Sequence, residues 1–169
     1  LILFCDTSAL VKLYVVEPGS EALKGLVAAS EAVAVCRIAW AEAFAALSRR
    51  AREVRADAAS AEAARRAIAS DWPRFLVIEV SQPVVERAGE YADTFALRAY
   101  DSLQLAAAYE TRAVAGVPVA FACFDTRLNK AARVLGLEAP FAGQERAGGD
   151  APLEGQAIGG SGGPPAADA

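Results

Sequence analysis

The chain opens Leu1-Ile2-Leu3-Phe4-Cys5-Asp6-Thr7. An unbroken apolar run that ends on an acid and a hydroxyl residue reads as a parallel strand, buried on both faces, running into a helix cap. The same grammar returns at Val117–Phe124, which is followed by Asp125-Thr126. Shorter runs at Ala32–Cys36 and Phe75–Val80 read as two more strands. Between them the periodicity is helical. Ser8–Tyr14 and Ser20–Ala29 are parted by Pro18-Gly19. Ile38–Arg55 and Ala58–Trp72 form a long arm that Pro73 stops, and Pro83–Leu97 and Ser102–Ala113 follow. Thr126–Leu135 closes on Gly136 as a C′ glycine, and a short fifth strand is expected at Leu137–Ala139. Strands alternating with helices predict an α/β fold: a three-layer α/β/α domain with a mostly parallel sheet of four to five strands. Ligands of such sheets collect beyond the carboxyl ends of the strands, so chemistry is sought directly after each apolar run.

Composition narrows that chemistry. The 169 residues include no histidine and only three cysteines. A Ser-His-Asp triad, a Cys-His pair and a four-ligand structural zinc within one chain are therefore excluded. Catalysis has to rest on carboxylates, hydroxyls, thiols, Lys/Arg or a hard metal held by oxygen. Alanine, roughly a quarter of the chain and far above ordinary usage, inflates the 54% hydrophobic fraction. Together with the scarcity of lysine (Lys12, Lys24 and Lys130) it reads as coding bias. Apolar runs fall short of the roughly 18 residues of a membrane span, and Leu1–Cys5 is not read as a signal peptide. Cys5, Cys36 and Cys123 lack CxxC spacing and are expected to be reduced, buried thiols of a cytoplasmic protein. A composition break divides the chain into a domain over 1–142 and a Gly/Pro/Ala-rich tail over 143–169, expected to be flexible. The tail carries −3 of the formal charge of −4, leaving the body near neutral.

Four acids stand out. Asp6 and Asp125 each end a strand, and either alone reads as an N-cap suited to the helix dipole. Two at equivalent edges of one sheet can converge where the strand order reverses. Asp101 precedes the apolar stretch of a helix and is another plausible cap. Glu42 lies nearly opposite the stripe formed by Trp40, Phe44, Leu47 and Ala51, so periodicity alone puts it on a solvated face. Nothing in its spacing separates it from Glu53 or Glu62.

Asp6-Thr7-Ser8-Ala9-Leu10-Val11-Lys12-Leu13-Tyr14, Ala41-Glu42, Leu97-Arg98-Ala99-Tyr100-Asp101-Ser102-Leu103-Gln104-Leu105-Ala106 and Phe124-Asp125-Thr126-Arg127-Leu128 resemble the successive motifs of PIN-domain ribonucleases. The subgroup they resemble is the VapC-type toxins of prokaryotic toxin–antitoxin pairs, over about residues 1–140. The resemblance implies that Asp6, Glu42, Asp101 and Asp125 gather in one pocket and bind Mg²⁺ or Mn²⁺. In that scheme Asp6 and Asp101 are the central ligands, and Asp125 and Glu42 complete or modulate the site. Water attacks the phosphodiester of RNA, leaving 3′-hydroxyl and 5′-phosphate ends. The chemistry suits the residue types: crowded carboxylates raise each other's pKa, and a divalent cation reverses that penalty and acidifies a water. Thr7, Ser8 and Thr126 are supporting hydroxyls or plain caps. Arg98 is expected to orient a carboxylate. Two departures from the family pattern are visible. Gln104 stands where the family often has histidine, a change expected to cost little chemistry. Cys123 stands where it often has Thr or Ser, which puts metal affinity or preference in question.

The resemblance also implies a homodimer and a small VapB-like antitoxin. RNA contacts are sought at Arg49, Arg50 and Arg52, with Arg55, Arg65 and Arg66 nearby, and at Arg127; a solvated helix face is the rival reading of the arm cluster. The aromatic stripe at Trp40, Phe44 and Leu47 reads first as core. The alternative function is a catalytically weak PIN-like module that binds RNA or protein. A phosphatase of similar architecture needs a second acid where Ser8 stands, and a receiver domain needs an extra acidic pair near the first strand's end; this sequence has neither.

Overall fold

The computed structural model describes residues 1–144. The tail expected over 143–169 lies, from residue 145 on, outside the described residues. Four strands, β1 (Ile2–Cys5), β2 (Ala32–Cys36), β3 (Leu76–Ile78) and β4 (Val119–Ala122), form one sheet in the order β3-β2-β1-β4. Every pairing is parallel, with Ile2 opposite Ala32 on one side and Val119 on the other. Seven α-helices connect and cover them: α1 (Thr7–Tyr14), α2 (Ser20–Ala29), α3 (Ala39–Glu53), α4 (Ala58–Asp71), α5 (Gln82–Phe95), α6 (Ala99–Ala115) and α7 (Thr126–Val134).

Two rules place the site. A parallel crossover is right-handed, so its helices fall on the face set by its direction of travel. The chain steps one way from β1 to β2 to β3, then returns past β1 to β4. Helices α1–α4 consequently cover one face and α5–α7 the other. The strands alternate to match: Leu3, Cys5, Val35, Ala120 and Ala122 join the core under α1–α4, whereas Phe4, Ala34, Cys36, Phe121 and Cys123 join the core under α5–α7. The strand order reverses between β1 and β4, and ligands of such sheets collect beyond the carboxyl ends of the strands at that point.

The departures from the sequence reading have local causes. β3 is an edge strand and shortens to Leu76–Ile78, with Leu76 exposed. The fifth strand reduces to a single parallel bridge between Ala120 and Glu138. α7 ends as expected, in a Schellman turn: the Gly136 N–H bonds to the Arg133 carbonyl and the Leu137 N–H to that of Ala132, with Gly136 at φ +75°. α6 begins three residues before the expected Ser102, capped at Arg98, so Asp101 lies inside its first turn rather than at its cap. An acid there still faces the positive end of the helix dipole.

Candidate active site

Asp6 follows β1 and caps α1. Its Oδ1 accepts the Ala9 N–H at 2.8 Å and the Ser8 hydroxyl at 2.7 Å. Ser8 in turn accepts the Phe124 N–H at 3.1 Å, which ties the start of α1 to the end of β4. Asp125 occupies the equivalent place after β4 and caps α7, its Oδ1 accepting the Leu128 N–H at 2.8 Å. Both acids are thus caps and also neighbours across the reversal point of the sheet.

Asp6 is 5% exposed. Burial pushes its carboxyl pKa up to about 6, its hydrogen bonds pull the other way, and the charge of Asp101 adds to the rise. Asp101 therefore acts on Asp6 from α6. Cys123 is fully buried beside Asp6 and Asp125: its sulfur receives the Asp125 N–H at 3.2 Å and its S–H faces the Asp125 carbonyl at 3.9 Å, while the nearby thiol helps pull the Asp6 carboxyl down. Burial holds the Cys123 thiol well above its ordinary pKa, so it stays an S–H donor. The thiol thus lies beside Asp6 and against the Asp125 backbone, at the position where the family often has a hydroxyl. All three cysteines are free and buried, as the sequence predicts.

Glu42 does not sit on a solvated face. α3 packs against α1 as well as α4, and Glu42 is half-buried, its Oε2 receiving the Thr7 hydroxyl at 2.5 Å and Gln104 Nε2 at 2.6 Å. Gln104 Nε2 also reaches Thr7 Oγ1 at 2.9 Å. Gln104, expected from the sequence to be a departure of little chemical cost, is thus a bonded neighbour of Glu42 and Thr7. The signal was its spacing: three residues after Asp101, it shares that acid's side of α6. Thr126 opens α7 beside Asp125, and Arg98 caps α6 with its carbonyl accepting the Ser102 hydroxyl.

The basic residues divide. Arg50 bonds to Glu17 at 2.6 Å and Asp57 at 2.7 Å. Arg65 and Arg66 both pair with Glu62. Arg49 and Arg52 are exposed, and Arg127 reaches the Ala96 carbonyl at 3.3 Å. The aromatic stripe is core in part: Leu47 is buried, and Trp40 stacks on Phe44 and meets Trp72 edge-on. Arg37, Trp40, Ala41 and Trp72 line an open cavity of about 360 Å³.

For a divalent cation, the donor chemistry fits. The available groups are hard oxygens, and the buried Asp6 with Asp101 acting on it is a pair whose charge a cation would offset. Among the described residues no three acidic or cysteine side chains close on one point for a metal. Glu42 and Asp125 each commit an oxygen to protein donors. Two carboxylates with acceptors around them suit a cation that keeps several of its waters, as Mg²⁺ does, better than a dehydrated carboxylate cage.

Residues 3–134 match the PIN domain. The chain belongs to the PIN-domain family, in its VapC-type ribonuclease branch. It is 31% identical over 135 residues to Ribonuclease VapC45 of Mycobacterium tuberculosis (strain CDC 1551 / Oshkosh), covering 80% of this chain and 92% of that one. The fold is similar to FitAcB from Neisseria gonorrhoeae, with a TM-score of 0.59 at 18% identity over 82% of this chain and 96% of that one. It is also similar to a toxin–antitoxin complex from Klebsiella pneumoniae, with a TM-score of 0.53 at 21% identity over 75% and 88% of the two chains.

Proposed function

We propose that this chain is a divalent-metal-dependent endoribonuclease toxin that hydrolyses RNA phosphodiester bonds and is neutralised by a cognate antitoxin. The observation that carries the reading is the buried Asp6, at the carboxyl end of β1, with its carboxyl raised to about 6 by burial and by Asp101. Its support from relatives is the ribonuclease name of the VapC protein with which it shares most of its length.

Asp6 and Asp101 would hold the cation, with Glu42 and Asp125 orienting the site from α3 and α7. A bound Mg²⁺ or Mn²⁺ would offset the carboxylate charge and acidify a water for attack on phosphorus. Ser8 fixes the Asp6 carboxylate and ties it to β4, and Thr7 fixes Glu42. The Cys123 thiol stands beside Asp6 where the family often has a hydroxyl. Exposed Arg49, Arg52 and Arg127 are available to RNA phosphates. A homodimer, a VapB-like antitoxin and a cytoplasmic setting complete the reading. Among the described residues no helix is long and apolar enough to cross a membrane.

The test is incubation of the pure protein with a mixed RNA pool, with and without Mg²⁺, mapping the cleaved ends. Metal-dependent cuts that leave 5′-phosphates and vanish in Asp6→Asn are expected. Cleavage that persists in excess chelator or in that variant defeats the reading. Tight RNA binding without cleavage in either metal would instead favour the binding-module alternative.

A further inference from the structure

Gln104 is 2% exposed, and its Oε1 has no hydrogen-bond partner, although its Nε2 bonds to both Thr7 and Glu42. Those two acceptors fix the amide: reversing it would set Oε1 against the Glu42 carboxylate, so the nitrogen has to face Thr7 and Glu42. The orphan is therefore the carbonyl oxygen. Buried amide oxygens are nearly always satisfied, and one left open beside a site calls for a donor that the protein alone does not supply.

The neighbours restrict what that donor is. The amide lies one turn of α6 beyond Asp101, next to Thr7, whose chain neighbour is the buried Asp6. A hard cation held by Asp6 and Asp101 keeps part of its hydration shell. Those waters are strong donors, and outer-shell acceptors that orient them tune affinity.

We propose that Gln104 Oε1 accepts a hydrogen bond from a water that hydrates the cation, which makes Gln104 a positioning residue for metal binding. This rests on the reading of Asp6 and Asp101 as cation ligands. The contacts to Thr7 and Glu42 fix which end of the amide is free, and that oxygen receives the water. Histidine, which the resemblance leads one to expect at this position, offers no carbonyl oxygen, so the arrangement belongs to this chain's own residues.

The test is calorimetric titration of the full chain with Mn²⁺ alone, without RNA. Gln104→Met keeps the side-chain volume and removes the strong acceptor. Gln104→Glu keeps an oxygen acceptor and breaks the contacts to Thr7 and Glu42. Gln104→Met should weaken Mn²⁺ binding by about ten- to a hundredfold, the usual range for an outer-shell partner, while Gln104→Glu stays within about threefold of the parent or binds tighter. Melting in chelator confirms that each variant is folded, and Gln104→Leu replaces Gln104→Met if the latter is not. Parental affinity in Gln104→Met overturns the inference alone. An equal loss in both variants also overturns it, because those contacts then account for the effect. Absence of Mn²⁺ binding by the parent chain overturns the cation site itself, and this inference with it.

Discussion

Ser8 and Phe124 lie 116 residues apart, yet the Phe124 N–H donates to the Ser8 hydroxyl at 3.1 Å while that hydroxyl donates to Asp6 at 2.7 Å. One oxygen thus couples the two strand ends that carry Asp6 and Asp125. Ser8→Ala removes a donor from Asp6 and leaves a buried backbone N–H unpaired, at a cost of about 1–3 kcal/mol. Urea unfolding should show that loss, and carboxyl titration by NMR should place Asp6 above its parental value. Ser8→Thr restores a hydroxyl and should recover most of both effects; full stability in Ser8→Ala would mean that the coupling has no energetic weight.

The raised Asp6 pKa makes stability depend on pH in a definite direction. The folded carboxyl titrates at about 6, against about 4 in an unfolded chain. Between those values the native state holds more protons, so this contribution is fully present below about pH 4 and is lost as pH rises through about 6. Asn cannot ionise. In chelator at pH 7.5, Asp6→Asn should therefore be more stable than the parent by about 2–3 kcal/mol, and the gap should shrink towards pH 4. Urea melts at the two pH values check this. An equal gap at both would show that ionisation is not its source.

Those two acids were legible because each ends a strand, where sequence and topology coincide. Glu42 was legible only through resemblance. A helical wheel treats a helix as having one buried stripe, whereas α3 has α4 on one side and α1 on the other, which closes over a residue the wheel exposes. Gln104 reads from sequence only as a departure of little chemical cost, because an amide carries no charge to draw attention and its partners Thr7 and Glu42 come from helices 97 and 62 residues away. Asp101 was placed at a cap because its apolar run starts at Leu103. α6 adds a turn that composition does not mark.

Gly19 holds the entry to α2 at φ +90°, and a Cβ there would stand 2.7 Å from the Phe124 ring, next to Asp125. Any side chain meets both left-handed strain and an aromatic neighbour held in place by stacking on Phe141 at 4.6 Å. Gly19→Ala should cost about 1–3 kcal/mol and lower metal-dependent activity by shifting the residue before Asp125. Gly25 is the counter-case: it lies exposed inside α2 with open space around its Cα. Gly25→Ala should add about 0.5–1 kcal/mol from helix preference and leave activity unchanged. Thermal melts and cleavage rates of the pair separate backbone geometry from mere loss of a glycine.

The basic arm should divide by function along α3. Lys12 is 2% exposed, bonds to Glu17 at 2.8 Å and lies over the Phe124 ring; Glu17 also binds Arg50, which binds Asp57. Removing Glu17 leaves Lys12 as a buried uncompensated charge, so Glu17→Ala should cost about 3–5 kcal/mol and Lys12→Met considerably less. Arg50 is partly exposed, so Arg50→Ala should cost no more than about 1 kcal/mol. Arg49 and Arg52 stand outside this chain of ion pairs. Arg49→Ala and Arg52→Ala should shift stability by under about 0.5 kcal/mol. If they contact phosphates, each should reduce the slope of log K against log salt for single-stranded RNA by about 0.7. Binding isotherms at several salt concentrations, run with a cleavage-inactive Asp6→Asn background, measure that slope. If it is unchanged in the double variant, phosphate contact belongs to another surface, and the arm is a solvated helix face.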